Sequence, residues 1–153
     1  MDGNEALDLL MQGNLRFVRG EVEGPNRGAA RRREVLQGQR PFAAVVGCSD
    51  SRVPPELLFD RGIGDLFVIR TAGHVLDAAG KGCVQYAVEH LGVPLVLVLG
   101  HTLCGAVTAA VSGGSAHGGV AAVVAAIAPA AEAARAMPGD AVDNAVRLHL
   151  RAT

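Results

Sequence analysis

Aromatic residues are almost missing from this chain: 153 residues hold no tryptophan, one tyrosine and four phenylalanines. Without aromatics among its basic residues the chain offers nucleobases no stacking platform, and its core has to be built from alanine, valine and leucine. A dominant charge is missing too. The formal net charge is −1, which gives neither nucleic acid nor a membrane surface an electrostatic attraction. The one basic run, Arg31-Arg32-Arg33 with Arg27 just before it, reads as the solvated face of a helix. Cysteine is sparse: Cys48, Cys83 and Cys104 are an odd set for a disulfide framework. No long hydrophobic run is present. The longest uncharged apolar stretch, 118–131, is mostly alanine, contains Pro129 and is too short for a bilayer. The first residues lack the basic and apolar regions of a signal peptide. These absences predict one cytoplasmic domain, 1–153, with its thiols kept reduced.

What is present is an alternation of strand and helix signals. Residues 43–47, 65–70 and 94–100 read as strands, the first and last of them buried. Residues 6–18 place Leu7, Leu10, Met11, Phe17 and Val18 at helical spacing, and a polar loop at 20–28 leads to a short helix around 31–37. Pro54-Pro55 turns the chain off the first strand into a turn of helix at 56–59. Residues 81–91 are helical, with Val84, Ala87, Val88 and Leu91 on one side and Cys83 read as core. A helix starts close to Cys104, and a glycine-rich loop follows at 113–119. An alanine/valine helix then runs to about Met137 with a break at Pro129, and 140–153 is amphipathic. The pattern predicts βαβ units, hence an α/β fold with a parallel-sheet core and flanking helices. A helical arm at about 5–37 precedes the core at about 41–153.

The chemistry sits at two strand ends. Cys48 closes the first strand in Cys48-Ser49-Asp50-Ser51-Arg52, and His101-Thr102-Leu103-Cys104 follows the last. Parallel strands ending together bring Cys48 and His101 side by side at the carboxyl edge of the sheet, where open α/β sheets place their sites. Two thiolates and an imidazole suit Zn²⁺ and leave a fourth position for water or substrate. Cys104 lies near a helix N-terminus, which favours its thiolate. Either motif alone would read as a small buried hydrophobe; both together favour metal. Asp50 and Arg52, two residues apart, can close into a two-toothed pair that fixes Asp50 beside the open position. The plain alternative is an ordinary loop ion pair.

The strings Gly47-Cys48-Ser49-Asp50-Ser51-Arg52-Val53-Pro54 and Gly100-His101-Thr102-Leu103-Cys104-Gly105-Ala106 resemble those of the β-class carbonic anhydrases. Phe67-Val68-Ile69-Arg70-Thr71-Ala72-Gly73 and Tyr86-Ala87-Val88-Glu89-His90-Leu91 match as well, and the similarity runs from about Leu7 to the end. The resemblance implies one Zn²⁺ per chain on Cys48, His101 and Cys104. Asp50 is then either a fourth ligand in a closed form or, once paired with Arg52, the group that releases the metal to water. It further implies a substrate pocket lined by Gln39, Phe67, Tyr86 and Gly105, with Gln39 completing it across a dimer interface, and so a homodimer or larger homo-oligomer.

The implied activity is reversible hydration of CO₂ to bicarbonate and a proton, by a hydroxide that zinc generates from water. Two thiolates cancel much of the zinc charge, so the water should be less acidified than the pKa of about 7 at an all-histidine site. Hydration that strengthens above neutral pH is therefore expected. Two other readings use the same residues: action on a CO₂-like molecule such as carbonyl sulfide or carbon disulfide, and a zinc-binding protein with little activity. Three features depart from the family pattern. Val45 stands where part of the family has a tryptophan that helps form a bicarbonate pocket. His74 stands where many relatives have asparagine, and reads as a neutral, hydrogen-bonded loop residue. The chain stops at Thr153, inside the matching helix, so the usual C-terminal strand and helix are expected to be missing.

Overall fold

The computed structural model describes residues 1–153. Strands β1 (Ala43–Cys48), β2 (Leu66–Thr71) and β3 (Val96–Leu99) form one sheet in the order β2-β1-β3. Phe42 N–H donates to the Asp65 carbonyl and Ser49 N–H to that of Thr71, so residue numbers climb together and the β1–β2 pair is parallel. The central position explains the composition of β1, whose six residues are all buried, as in a strand covered on both faces. Val45 belongs to that buried run. The outer strands are less covered, and Val96 of β3 is exposed. β3 begins two residues after Pro94, which has no N–H to give a ladder.

The chain divides into two compact units. The first comprises 1–46, 53–69 and 78–97; the second comprises 47–52, 70–77 and 98–153.

In the first unit, α1 (Gly3–Arg19) starts at a capping box. Asp2 accepts from the Asn4 and Glu5 amides, and Glu5 accepts in return from the Asp2 amide. The helix buries Ala6, Leu10 and Gly13. A Cβ at Gly13 would lie 1.8 Å from the Phe59 carbonyl oxygen, so only glycine lets the two segments meet. The other apolar positions of the expected stripe, Leu7, Met11, Phe17 and Val18, are exposed. Helical spacing located the helix, but only one edge of its apolar face is covered within the chain. The helices α2 (Ala29–Glu34), α3 (Pro55–Leu58) and α4 (Ala78–Glu89) complete the unit.

Two expectations fail here. Cys83 is exposed, not core, and Val88 is exposed as well. Helix α4 buries Gly80 and Ala87 instead. Lys81, Gln85 and Glu89 mark a polar stripe on the helix, but the apolar character elsewhere on it does not say which residues the chain covers.

In the second unit, a 3₁₀ turn (Ala72–His74) follows β2, and α5 (Gly105–Ser112), α6 (Gly119–Arg135) and α7 (Ala141–Ala152) pack on one another. Helix α6 runs through Pro129 without the expected break. Ile127, Ala130, Ala131 and Ala134 are buried on it, and that packing outweighs one missing hydrogen bond. Asp140 caps α7 through the Asp143 amide, and Ala145, Val146 and His149 are buried. No helix is long and apolar enough to cross a membrane.

Candidate metal centre

The second unit gathers the three soft ligands. Cys48 ends β1. His101 follows β3, and Cys104 is the N-cap of α5, with extended backbone before the helix begins. The ligand atoms of Cys48, His101 and Cys104 all lie within 4.8 Å of one another. Tetrahedral zinc with Zn–S bonds of about 2.3 Å would set two sulfurs roughly 3.8 Å apart, and the two Sγ atoms are 3.9 Å apart. His101 Nε2 is buried without a hydrogen-bond partner, while Nδ1 lies 2.9 Å from the Thr102 carbonyl oxygen. A carbonyl can only accept, so Nδ1 carries the proton. Nε2 is left as a lone pair facing no donor, which is the state a metal-ligating imidazole needs. The residues fit the cation.

Electrostatics agree, with one correction. Burial pushes the Cys104 thiol up, and the neighbouring Cys48 thiol adds to the rise; the Ala106 and Val107 amides at the start of α5 pull it down and lose. The helix terminus is where the sequence placed it, but it does not by itself make Cys104 a thiolate. Two buried sulfurs in contact need a cation to hold their charge.

Around Cys48 the backbone supplies donors. Its Sγ accepts from the Asp50 amide at 3.4 Å and the Gly73 amide at 3.3 Å. Arg70, at the end of β2, donates from Nε to the Cys48 carbonyl (2.8 Å) and from Nη2 to the Asp50 carbonyl (2.6 Å). Arg70 lies in the string 67–73, whose residues carry no assigned role beyond Phe67. Its place at the carboxyl end of the neighbouring strand is the signal that could have found it.

Asp50 and Arg52 close as a fork, Nε to Oδ1 at 2.9 Å and Nη2 to Oδ2 at 2.7 Å. The Arg52 guanidinium, then the Arg52 amide, hold the Asp50 carboxyl well below the usual carboxylate range. Arg52 Nη2 also donates to the Leu103 carbonyl at 3.1 Å, tying the Cys48 loop to the loop of His101 and Cys104. Leu103 is exposed and sits at φ 56°, a backbone region unusual for leucine. Both Asp50 oxygens are taken up by Arg52, and the group that could hold a metal ion consists of Cys48, His101 and Cys104.

Among the expected pocket residues, Gly105 is the exposed first residue of α5, with open space where a Cβ would stand. The other three belong to the first unit. There Phe67 and Tyr86 meet, ring centroids 6.1 Å apart, with Tyr86 about half exposed and stacked near His90. Gln39 is exposed on a polar depression shared with Arg31, Glu34 and Arg40.

His74 corrects its expectation. It is buried, and neither ring nitrogen has a partner. Burial, then His149 and His101, lower its pKa to about 4, so the ring is neutral but not satisfied. Its ring lies 4.6 Å from that of His149, centroid to centroid.

Comparison with known proteins places this geometry. A family model for carbonic anhydrase matches residues 43–152. The carbonic anhydrase of Mycolicibacterium smegmatis is 55% identical over 107 residues, covering 70% of this chain and 52% of that protein. Among solved structures, a Coccomyxa β-carbonic anhydrase in complex with acetazolamide superposes with TM-score 0.68 at 30% identity, covering 78% of this chain and 58% of that one. A tetrameric β-carbonic anhydrase from Sordaria macrospora gives TM-score 0.67 at 27% identity, covering 77% and 63%. The chain thus spans about half the length of the curated relatives it matches, 52% for the first of them.

Proposed function

The chain belongs to the β-class carbonic anhydrases, and from that premise we propose that it hydrates CO₂ reversibly to bicarbonate and a proton, with one Zn²⁺ per chain on Cys48, His101 and Cys104. One observation carries this reading. Three ligand atoms lie within 4.8 Å, one of them a buried imidazole nitrogen with no other partner, in the same unit as a closed carboxylate–guanidinium fork. When bound, zinc supplies an acidified water as nucleophile.

The chain's residues do the rest. Arg52 keeps the Asp50 carboxylate ionised and engages both its oxygens, so Asp50 would stay out of the zinc ligand set and leave room for water. The ionised Asp50 can accept a hydrogen bond from that water and orient it. The fork and the Arg52–Leu103 link hold the two ligand-bearing loops in register. Carbon dioxide takes the water's oxygen, and the released proton passes to buffer: CO₂ + H₂O gives HCO₃⁻ + H⁺. Gln39, Phe67, Tyr86 and Gly105 are the proposed lining of the substrate pocket.

We read residues 1–153 as one domain acting as a homodimer or larger homo-oligomer, in a reducing compartment such as the cytoplasm that keeps both thiols available. The exposed Leu7, Met11, Phe17 and Val18 on α1 support association. The test is stopped-flow CO₂ hydration with zinc per chain measured on the same sample. One zinc per chain with catalysed hydration is expected. Zinc without hydration would overturn the proposal and turn attention to carbonyl sulfide or carbon disulfide.

A further inference from the structure

Gly73 carries one amide that reaches Cys48, a proposed metal ligand, in a left-handed conformation that suits glycine and little else. It sits at φ 62°, and a Cβ there would lie 2.7 Å from Ile127 Cδ1 and 3.1 Å from Ala106 Cβ. His74 follows at φ 48°. Two consecutive left-handed residues, one of them not glycine, persist only where the surroundings over-determine them. What the turn delivers is the Gly73 N–H, 3.3 Å from Cys48 Sγ. What holds it includes Thr71 Oγ1 donating to the Val75 carbonyl at 2.6 Å and, from helix α7, His149 Nε2 at 3.0 Å from the Gly73 carbonyl oxygen. Because a carbonyl only accepts, His149 Nε2 must carry the proton. The His74 ring packs against that of His149, centroids 4.6 Å apart and planes tilted by 36°.

We propose that His149 is a positioning residue for the metal centre: by holding the Gly73 carbonyl it keeps the Gly73 amide aimed at Cys48 Sγ. The inference rests on Cys48, His101 and Cys104 being the zinc site. A hydrogen bond to a thiolate lowers the energy of its lone pairs and steadies its orientation, so the partners of a ligand tune the metal as well as the ligand does. His149 is 76 residues from Gly73 in sequence, and the contact exists only because α7 packs into the second unit.

The full chain loaded with Co²⁺ shows the effect in its thiolate-to-cobalt charge-transfer band, and competition with a chelator gives the zinc affinity. His149→Phe keeps a ring in the cavity and deletes the donor. It should move the band to longer wavelength and weaken zinc binding by about tenfold or more. His149→Gln, whose amide nitrogen can reach the same carbonyl, should restore both. An unchanged band and affinity in the phenylalanine variant, or equal losses in both variants, overturns the proposal. Nitrogen NMR of the unmutated protein needs no variant: His149 with its proton on Nδ1 overturns the proposal, and with it on Nε2 supports it. If the unmutated chain takes up neither Zn²⁺ nor Co²⁺, the zinc reading falls and the inference with it. Uptake with an indifferent His149 sinks the inference alone.

Discussion

Two aspartates ten residues apart, Asp50 and Asp60, each meet arginine, and they end in opposite circumstances. Asp60 in the first unit is wholly buried. It accepts from Arg16 Nε at 2.7 Å and from the Glu23 and Gly24 amides at 3.0 and 2.9 Å, with Arg27 Nη2 at 3.5 Å. Burial pushes its carboxyl up, but Arg16 and then the two amides win, holding it at about 2. Asp50 in the second unit is held low chiefly by Arg52, with a smaller contribution from His101, and the Arg52 side chain is 61% exposed. Similar chemistry thus serves two ends. A carboxylate with every lone pair engaged in a buried network fastens the end of α1 and its loop to the end of α3. A carboxylate held on one side by a solvated guanidinium can release one partner and take another. Burial and the number of fixed donors decide which.

The largest expected effect breaks the buried member. Asp60→Ala leaves Arg16 and two amides without their acceptor and should cost about 3 kcal/mol in denaturant unfolding, while zinc content per folded chain stays the same. A loss below about 1 kcal/mol would show that the two aspartates do not differ as described. Next, Asp50→Asn should leave stability within about 1 kcal/mol, as for an exposed pair, and leave zinc bound. CO₂ hydration in the stopped-flow instrument should still drop at least about tenfold, or about 1.4 kcal/mol. Full activity in that variant would remove Asp50 from the mechanism.

Acid sharpens the comparison, because a third group, the buried His74, has no hydrogen-bond partner at all. His74, lowered from 6.5 to about 4, refuses in the folded chain a proton that the unfolded chain accepts. Its contribution to stability is complete above pH 6.5 and falls as pH drops toward 4, by at most about 1.4 kcal/mol per pH unit. Asp60, lowered from 3.8 to about 2, contributes above pH 3.8 and loses its contribution only as pH falls toward 2. Comparing His74→Phe with the unmutated chain in urea at pH 7 and pH 4.5, at matched zinc content, should show a shallower loss in the variant. Parallel losses would exclude His74 as the source. The smallest effect belongs to Arg52→Lys, which keeps the charge but not the fork. A fall in hydration of a few-fold with unchanged unfolding is expected; a fall as large as that of Asp50→Asn would mean the fork's geometry matters as much as the carboxylate.

The same contrast explains what could be read in advance. Asp50 and Arg52 are two residues apart, and Cys48 and His101-x-x-Cys104 each close a strand, so residue type and spacing were enough to propose the site. Asp60 finds its donors 33 to 44 residues away, and no local pattern announces them. Cys83 and the apolar stripe of α1 failed for a related reason: helical spacing shows that a face exists, not what covers it. Pro129 marks a helix break by its own chemistry, and neighbouring helices overrode it.

The sequence by itself therefore determined the features that depend on near neighbours. The parallel α/β layout, the grouping of Cys48, His101 and Cys104, the carboxylate–arginine fork and the family are written in short strings whose chemistry needs only a few ångströms of chain. Tertiary structure alone decided which of those groups are desolvated and who shares their protons. It buried His74 without a partner, brought His149 to the Gly73 carbonyl, let burial outweigh the helix terminus at Cys104 and left Tyr86 half exposed. The physical reason is that solvation and hydrogen-bond geometry belong to the space around a group, and packing brings distant residues into that space.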